Sequence, residues 1–420
     1  MVVESWLARA ARERPDRRAV NALSYGALYE RARAAAAGLP RGARVGLAIP
    51  PGEAYVVALH ACLLAGALAV PVDLRLTGAE RPDVDVLVEG DALPVRCAGA
   101  AADVRAEHEL DAAAILVSTS GTTRAPRPIR LTYGNWLWSA LGSAVALGVD
   151  PDERWLCTLP LSHVGGLSIL LRSAIYGTTA IVHERFDTER VLAALGDPDG
   201  PTVVSLVPTT LTRLLDAGLQ RPAALRWALL GGAPLAPALL ERAAAAGVPV
   251  APTYGLTEAC SQVATAGVPL FCTRVELDGP DGEILVSGPT VSPDAGPVLR
   301  TGDLGALDPD DGRLHVVGRK ADTIVTGGEN VAPAEVEAVL EGHPDVVEAG
   351  VLGVADPEWG EAVVALVRLR AGATTTPLDL LDHARERLAR FKVPKDIQLV
   401  GDPLPRTPSG KLQRRELTSM

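Results

Sequence analysis

The run Ser118-Thr-Ser-Gly-Thr-Thr-Arg-Ala-Pro-Arg127 follows a short apolar stretch, Ala114–Val117. A strand that opens into a loop of glycine and hydroxyl side chains offers backbone N–H and side-chain O–H donors to a phosphate. The spacing is not that of a Walker A loop, since G-x-x-x-x-G-K-[ST] is absent. Six more clusters of chemistry-bearing residues stand downstream. They are Gly231-Gly-Ala-Pro-Leu235, Tyr254-Gly-Leu-Thr-Glu258, Arg300-Thr-Gly-Asp-Leu304, Gly318-Arg-Lys-Ala-Asp322, Gly327-Gly-Glu-Asn330 and Pro405-Arg-Thr-Pro-Ser-Gly-Lys411. Taken singly, several have a plain structural reading. Asp303 suits a Gly-Asp turn, and Glu258 suits a solvated acid at a helix start.

Lys411 stands out by rarity. The chain has four lysines, Lys320, Lys392, Lys395 and Lys411, and none in its first 319 residues, although arginine is abundant. Arginine and lysine differ in geometry and hydration, so the positions that keep lysine draw attention. His163 lies in Pro160-Leu-Ser-His-Val-Gly-Gly166. A lone histidine among apolar residues fits either a satisfied core group or a site residue. In the helical run that follows, Ser168 and Arg172 are spaced to share one face. A hydroxyl and a guanidinium there could meet a carboxylate, and Arg172 could equally be a solvated or paired helix residue.

These residues need a scaffold that holds them together. Helical patterns alternate with short β-branched runs, which predicts α/β architecture with largely parallel sheets. Glu53–Ala65 reads as a helix, Thr202–Val207 and Trp227–Leu230 as strands, Pro237–Ala246 as a helix and Pro249–Thr253 as a strand. From Gly282 the strands shorten: Glu283–Ser287, Val298–Arg300, Leu314–Val317. After a break near Gly318–Ala321, Pro333–Leu340 is a helix opened by proline. Val346–Val354 and Glu361–Leu369 are strand-like, and Leu378–Arg390 is a helix. Ala54–Val72 is long and apolar enough to span a bilayer. His60, Gly66 and Pro71 interrupt it, and it reads better as a buried helix, a Gly66 break and a strand.

The 420 residues suggest two or three domains at roughly 150 residues each. With 48% hydrophobic and 22% charged residues the chain can build a large core. A net charge of −11 argues against a nucleic-acid binder and against a polybasic membrane-surface protein. Five cysteines, an odd number without C-x-x-C spacing, disfavour a disulfide framework and suit a cytoplasmic protein. The N-terminal residues lack the features of a signal peptide.

In this order, the motifs resemble those of the ANL superfamily of adenylate-forming enzymes, from about Ser24 to Leu417. Leu131-Thr-Tyr-Gly-Asn-Trp-Leu-Trp-Ser-Ala140, Leu161-Ser-His-Val-Gly-Gly-Leu-Ser-Ile-Leu-Leu-Arg-Ser-Ala-Ile-Tyr-Gly177 and Thr253-Tyr-Gly-Leu-Thr-Glu-Ala-Cys-Ser-Gln262 look like the o-succinylbenzoate–CoA ligases of menaquinone biosynthesis within it. The resemblance implies a large N-terminal domain (1–318) of mixed and parallel sheets sandwiched by helices. A small mobile α+β C-terminal domain (319–420) would follow. It implies a carboxylic acid, ATP, Mg²⁺ and CoA as reaction partners, two half-reactions in two orientations of the small domain, and a hinge over Arg319–Asp322. It carries no nucleic acid and no membrane span, and it allows a homodimer.

Residue by residue, the resemblance puts Thr119, Ser120, Gly121, Thr122, Thr123 and Arg127 at the phosphates, Thr257 at the α-phosphate and Glu258 at Mg²⁺. Gly231, Gly232, Ala233, Tyr254 and Gly255 would wall the adenine, Asp303 and Arg319 would take the ribose, and Gly327 and Gly328 would meet CoA. Lys411 would bridge carboxylate and phosphate in the first step. His163, Ser168 and Arg172 would face the acid. Three departures stand out. Arg124 replaces a phosphate-loop glycine, Pro128 removes a donor, and the span from Gln262 to Arg300 is short. The same motifs also fit a ligase for another acid, or a degenerate binding paralogue.

Overall fold

The computed structural model describes residues 1–77, 81–90, 104–119, 127–280, 282–407 and 410–418, with the side chains of Thr119 and Arg127 outside that description. A nine-stranded sheet forms the centre of the large domain. Its parallel run is Thr179–Val182, Arg154–Cys157, Val203–Leu206, Trp227–Leu230 and Val250–Leu256, each strand paired in register with the next. The first four of these strands are mostly buried apolar residues, as a sheet covered on both faces requires, whereas Val250–Leu256 is largely half-buried, with Ala251 its one buried residue. The last strand then turns back as the antiparallel Ser261–Thr265.

A five-stranded sheet packs beside it, in the order Val86–Glu89, Arg44–Ala48, Leu68–Pro71, Ala113–Thr119, Arg127–Thr132. The helix Glu53–Ala65 has the bounds expected from sequence. It is buried on nearly every side, which explains why it carries almost no polar face, and Gly66 ends it in the left-handed conformation. Among the described residues, no helix is long and apolar enough to cross a membrane.

Between Gln262 and Arg319 the chain builds a four-stranded antiparallel sheet: Arg274–Asp278, Glu283–Ser287, Val298–Leu307, Leu314–Arg319. The third strand runs well past Arg300, because hairpin pairing carries it through Gly302 with a register shift at Leu304/Gly305. The C-terminal residues form a separate sheet with its own buried cluster, including Val351, Val363, Val367, Leu340 and Leu380. Its last strand, Asp396–Leu399, pairs parallel to Gly360–Leu369. The helix expected over Leu378–Arg390 stops at Arg385. Lys392 then pins the next turn to Glu335, at 2.7 Å to both carboxylate oxygens.

Candidate active site

The site gathers at the carboxyl ends of the central parallel strands, where open α/β sheets present ligand crevices. Trp227–Leu230 delivers Gly231 against the neighbouring strand. A Cβ on Gly231 would lie 2.5 Å from Thr253 Oγ1 and 2.8 Å from its carbonyl oxygen. Only glycine allows that approach, and Gly232 follows at φ +83°. One strand over, Val250–Leu256 carries Tyr254 and Gly255 and ends in the 3₁₀ turn Thr257–Ala259. Cys260 and Ser261 hold positive φ and reverse the chain. A side chain at Gly255 would overlap the Ser261 carbonyl oxygen, so the reversal places Thr257 and Glu258 at its apex.

The Glu258 carbonyl accepts from the Ser292 N–H at 2.7 Å, and Ser292 Oγ donates to the Arg130 carbonyl at 2.8 Å. Ser292, fully buried, thus joins the Glu258 turn to the strand leaving the phosphate loop. Nothing in its local sequence marks that role. The Glu258 carboxylate itself has no hydrogen-bond or ion-pair partner among the described residues. Thr119 and Arg127 pair across the hairpin that frames the phosphate loop. Ser120, Gly121, Thr122 and Thr123 lie outside the described residues, as does Arg124.

Asp303 sits on the strand Val298–Leu307, directly opposite Arg319. It is 6% exposed. Tyr254 Oη donates to its Oδ2 at 2.9 Å, and Arg319 Nε lies 3.0 Å from its Oδ1. Burial, and then the Asp303 charge, raise the Tyr254 hydroxyl well above its ordinary pKa, so it stays a donor. Arg319 closes the strand Leu314–Arg319 and so belongs to this small sheet, just ahead of the 3₁₀ turn Lys320–Asp322.

Lys411 comes to the same place from the other domain. Its loop is closed by the Arg406↔Leu412 bridge, by Thr407 N–H on the Lys411 carbonyl at 2.7 Å and by Lys411 N–H on Thr407 Oγ1 at 3.1 Å. Gly410 has φ +83°, and a Cβ there would meet Thr209 Oγ1 at 3.1 Å and Val207 Cγ2 at 3.2 Å. The loop therefore packs against the start of the large domain's helix Pro208–Asp216. Burial, reinforced by Arg319, pushes the Lys411 amine down to about 8, while Asp303 and Asp322 oppose the shift.

His163 caps the helix Val164–Tyr176 and is half-buried. Burial holds its pKa below the ordinary value, with Asp73 opposing. Ser168 and Arg172 lie on that helix, but the structure does not bring their polar ends together. Ser168 Oγ donates to the Gly165 carbonyl at 2.9 Å. Arg172 is 3% exposed, donates from Nη2 to Ser139 Oγ at 3.1 Å and lies 5.6 Å from the Trp155 ring. Its Nε has no partner among the described residues. From sequence, Trp155 was not singled out, and Ser139 stood only as part of the run Leu131–Ala140 with no role of its own. Gly327 and Gly328 form the two-residue turn between Ile324–Thr326 and Glu329–Val331, both at positive φ. The Gly327 N–H donates to the Trp359 carbonyl at 2.8 Å, and Lys395 Nζ lies 4.3 Å from the Trp359 ring.

Residues 7–89 and 82–294 match the family described as AMP-binding enzyme, and residues 335–411 match the AMP-binding enzyme C-terminal domain, ending on Lys411. The chain belongs to the AMP-binding enzymes. Among relatives of this AMP-binding enzyme, the 2-succinylbenzoate–CoA ligase of Bacillus licheniformis is 38% identical over 485 aligned positions, covering 98% of this chain and 99% of the relative. That of Bacillus velezensis is 37% identical over 480 positions, covering 99% and 98%. Both alignments exceed the 420 residues here, so the relatives carry segments that this chain lacks.

Among solved structures, o-succinylbenzoate CoA synthetase of Bacillus subtilis with the acyl-adenylate intermediate OSB-AMP superposes with a TM-score of 0.90 at 32% identity, covering 99% and 98% of the chains. The same synthetase with ATP and a magnesium ion gives 0.90 at 32%, covering both chains in full (100%). ATP-bound MatB of Rhodopseudomonas palustris gives 0.86 at 26%, covering 99% of each.

Proposed function

We propose that this AMP-binding enzyme is a 2-succinylbenzoate–CoA ligase. In the first step a carboxylate oxygen of the acid attacks the α-phosphorus of ATP, and the bond to pyrophosphate breaks. In the second the CoA thiolate attacks the acyl carbon, the bond to AMP breaks and the thioester leaves. The observation that carries the reading is the convergence of Lys411, Arg319, Asp303 and Tyr254 where the two domains meet. The full-length likeness to curated 2-succinylbenzoate–CoA ligases supports the choice of acid.

In this reading Asp303 accepts the ribose hydroxyls, already oriented by Tyr254 and Arg319. The Gly231–Ala233 backbone and Tyr254 flank the adenine, and Thr257 donates to the α-phosphate. Lys411 neutralises charge between the attacking carboxylate and the phosphate. Such sites work mainly by positioning and by preorganised charge. The donor chemistry fits Mg²⁺: Glu258 offers a carboxylate that has no partner among the described residues, in the turn that also carries Thr257. Mg²⁺ suits such a site, since it is commonly held by one or two carboxylates together with substrate phosphates. When bound it supplies charge neutralisation at the phosphates.

Gly327 and Gly328, with Trp359 beside them, are assigned to CoA, and His163 to the passage between acid and thiol. Arg172 is assigned to the second carboxylate of the acid. We place the enzyme in the cytoplasm; the free thiols Cys62, Cys157, Cys260 and Cys272 are consistent with that. A homodimer is the assembly we would test by light scattering. The test of the function is CoA-thioester formation from 2-succinylbenzoate against simple benzoates and fatty acids. Turnover preferring a monocarboxylic acid would overturn the choice of substrate.

A pH dependence follows. Burial disfavours the ammonium, so Lys411 is charged below about 8 and neutral above it. A step that needs the ammonium must weaken as pH rises. The kcat/KM for ATP in adenylation, which reports the free enzyme, is expected to fall about tenfold per pH unit above that value. Lys411→Arg, charged throughout, should flatten this alkaline limb even if it lowers the rate. An unchanged limb in Lys411→Arg would assign the titration to another group.

A further inference from the structure

Lys411 must reach its target from a loop, and two arginines bracket that loop. Arg406, just before it, donates from Nε and Nη2 to Glu348 Oε2, both at 3.2 Å. Its Nη1 donates to the carbonyl of Gly410, the residue preceding Lys411, at 3.1 Å. Arg414, just after the loop, donates to both oxygens of Glu337, at 2.9 and 2.6 Å, and to Asp322 at 3.0 Å. Asp322 ends the 3₁₀ turn that follows Arg319.

The two glutamates are themselves fixed. Glu348 is 8% and Glu337 7% exposed. Glu348 Oε1 accepts from the Leu404 N–H at 3.2 Å and faces Arg368 Nε at 3.0 Å. Glu337 Oε1 accepts from the Val351 N–H at 2.9 Å. Glu348 and Val351 lie on the strand Val346–Asp356 and Glu337 on the helix Pro333–Glu341, both framing the C-terminal core.

From this geometry we infer that Arg406 and Arg414 are positioning residues for Lys411, clamping its loop to two buried carboxylates before substrate arrives. An exposed ion pair would contribute little. Here planar guanidiniums span carboxylate, carbonyl and chain in fixed forks, which lysine could not do. Arg414 also ties the loop to the turn after Arg319, so a rotating small domain would carry Lys411 as one piece with that turn. The inference rests on Lys411 acting in adenylation.

The test uses the full-length enzyme and separates the half-reactions. Arg406→Met is expected to lower the adenylation kcat about 10–100-fold, leave the ATP KM within about threefold, and spare thioester formation from supplied acyl-adenylate. The groups acting on the Lys411 amine are Arg319, Asp303, Asp322 and Arg414. A loosened loop should release the amine from burial and move the alkaline limb upward, which a merely structural role would not do. Glu348→Gln, which keeps shape and removes charge, should act in the same direction, and it carries the test should Arg406→Met fail to fold. Unchanged adenylation, or an unmoved limb, or equal loss in both half-reactions overturns the inference. Lys411→Ala run alongside separates the cases: if that variant adenylates normally, the role of Lys411 fails rather than its clamp.

Discussion

Lys411→Ala is expected to slow acyl-adenylate formation by about 10²–10³-fold, while thioester formation from supplied acyl-adenylate largely survives. The first part follows from electrostatics. Removing one preorganised charge contact to a transition state costs on the order of 3–4 kcal/mol. The amine is partly withdrawn from water beside Arg319 and Asp303, so bulk solvent would not replace it readily. The second part follows from where the loop sits. Gly410 touches Val207 and Thr209 of the large domain in this arrangement. The second half-reaction would use another orientation, with Lys411 away from the reacting atoms. Pre-steady-state pyrophosphate release measures the first step, and synthetic acyl-adenylate with CoA measures the second. Equal losses in both would defeat domain alternation for this enzyme.

Arg172→Ala should raise the KM for 2-succinylbenzoate by roughly 30-fold or more, corresponding to about 2–5 kcal/mol for a buried charge pair. The KM for ATP should stay within about twofold. A guanidinium buried without a carboxylate is expensive, and Arg172 has no such partner among the described residues. The carboxylate whose charge acts on it is Glu153, which is already paired with Arg226 at 3.0 Å. Burial accordingly depresses the Arg172 pKa. The acid to be activated brings a second carboxylate, which would supply the missing charge. The variant should therefore also lose its preference over monocarboxylic aryl acids. Unchanged KM and unchanged preference would place the second carboxylate elsewhere.

The sequence was most legible where one local signal settles the outcome. Glu53–Ala65, apolar but for Glu53 and His60, and the apolar Trp227–Leu230 are both ended by glycine, and the structure has them at those bounds. Tyr254, Asp303, Arg319 and Lys411 were legible as site candidates because each sits in a compact motif, and the fold does draw them together. Partnerships made across the fold were not legible. Ser139 meets Arg172 from 33 residues away, and Glu348 meets Arg406 from 58. Both distances are set by how sheets stack and cross over, which no local spacing records. Strand Val298–Leu307 was underestimated for a related reason: Gly302, at φ +70°, makes only a local irregularity, and the partners Glu283–Ser287 and Leu314–Arg319 carry the strand on beyond it.

The scarcity of lysine gives the docked loop a spectroscopic signature. Reductive methylation with ¹³C-formaldehyde would label only four side-chain amines, those of Lys320, Lys392, Lys395 and Lys411. An amine that titrates near 8 does so within the range where a folded protein gives good NMR spectra. Its resonance would then report the orientation of the small domain directly. With Gly410 docked by Val207 and Thr209 the amine carries one chemical shift, and swung into water it carries another. Adding ATP and the acid, and then CoA, to the labelled protein would follow the domain through one catalytic cycle.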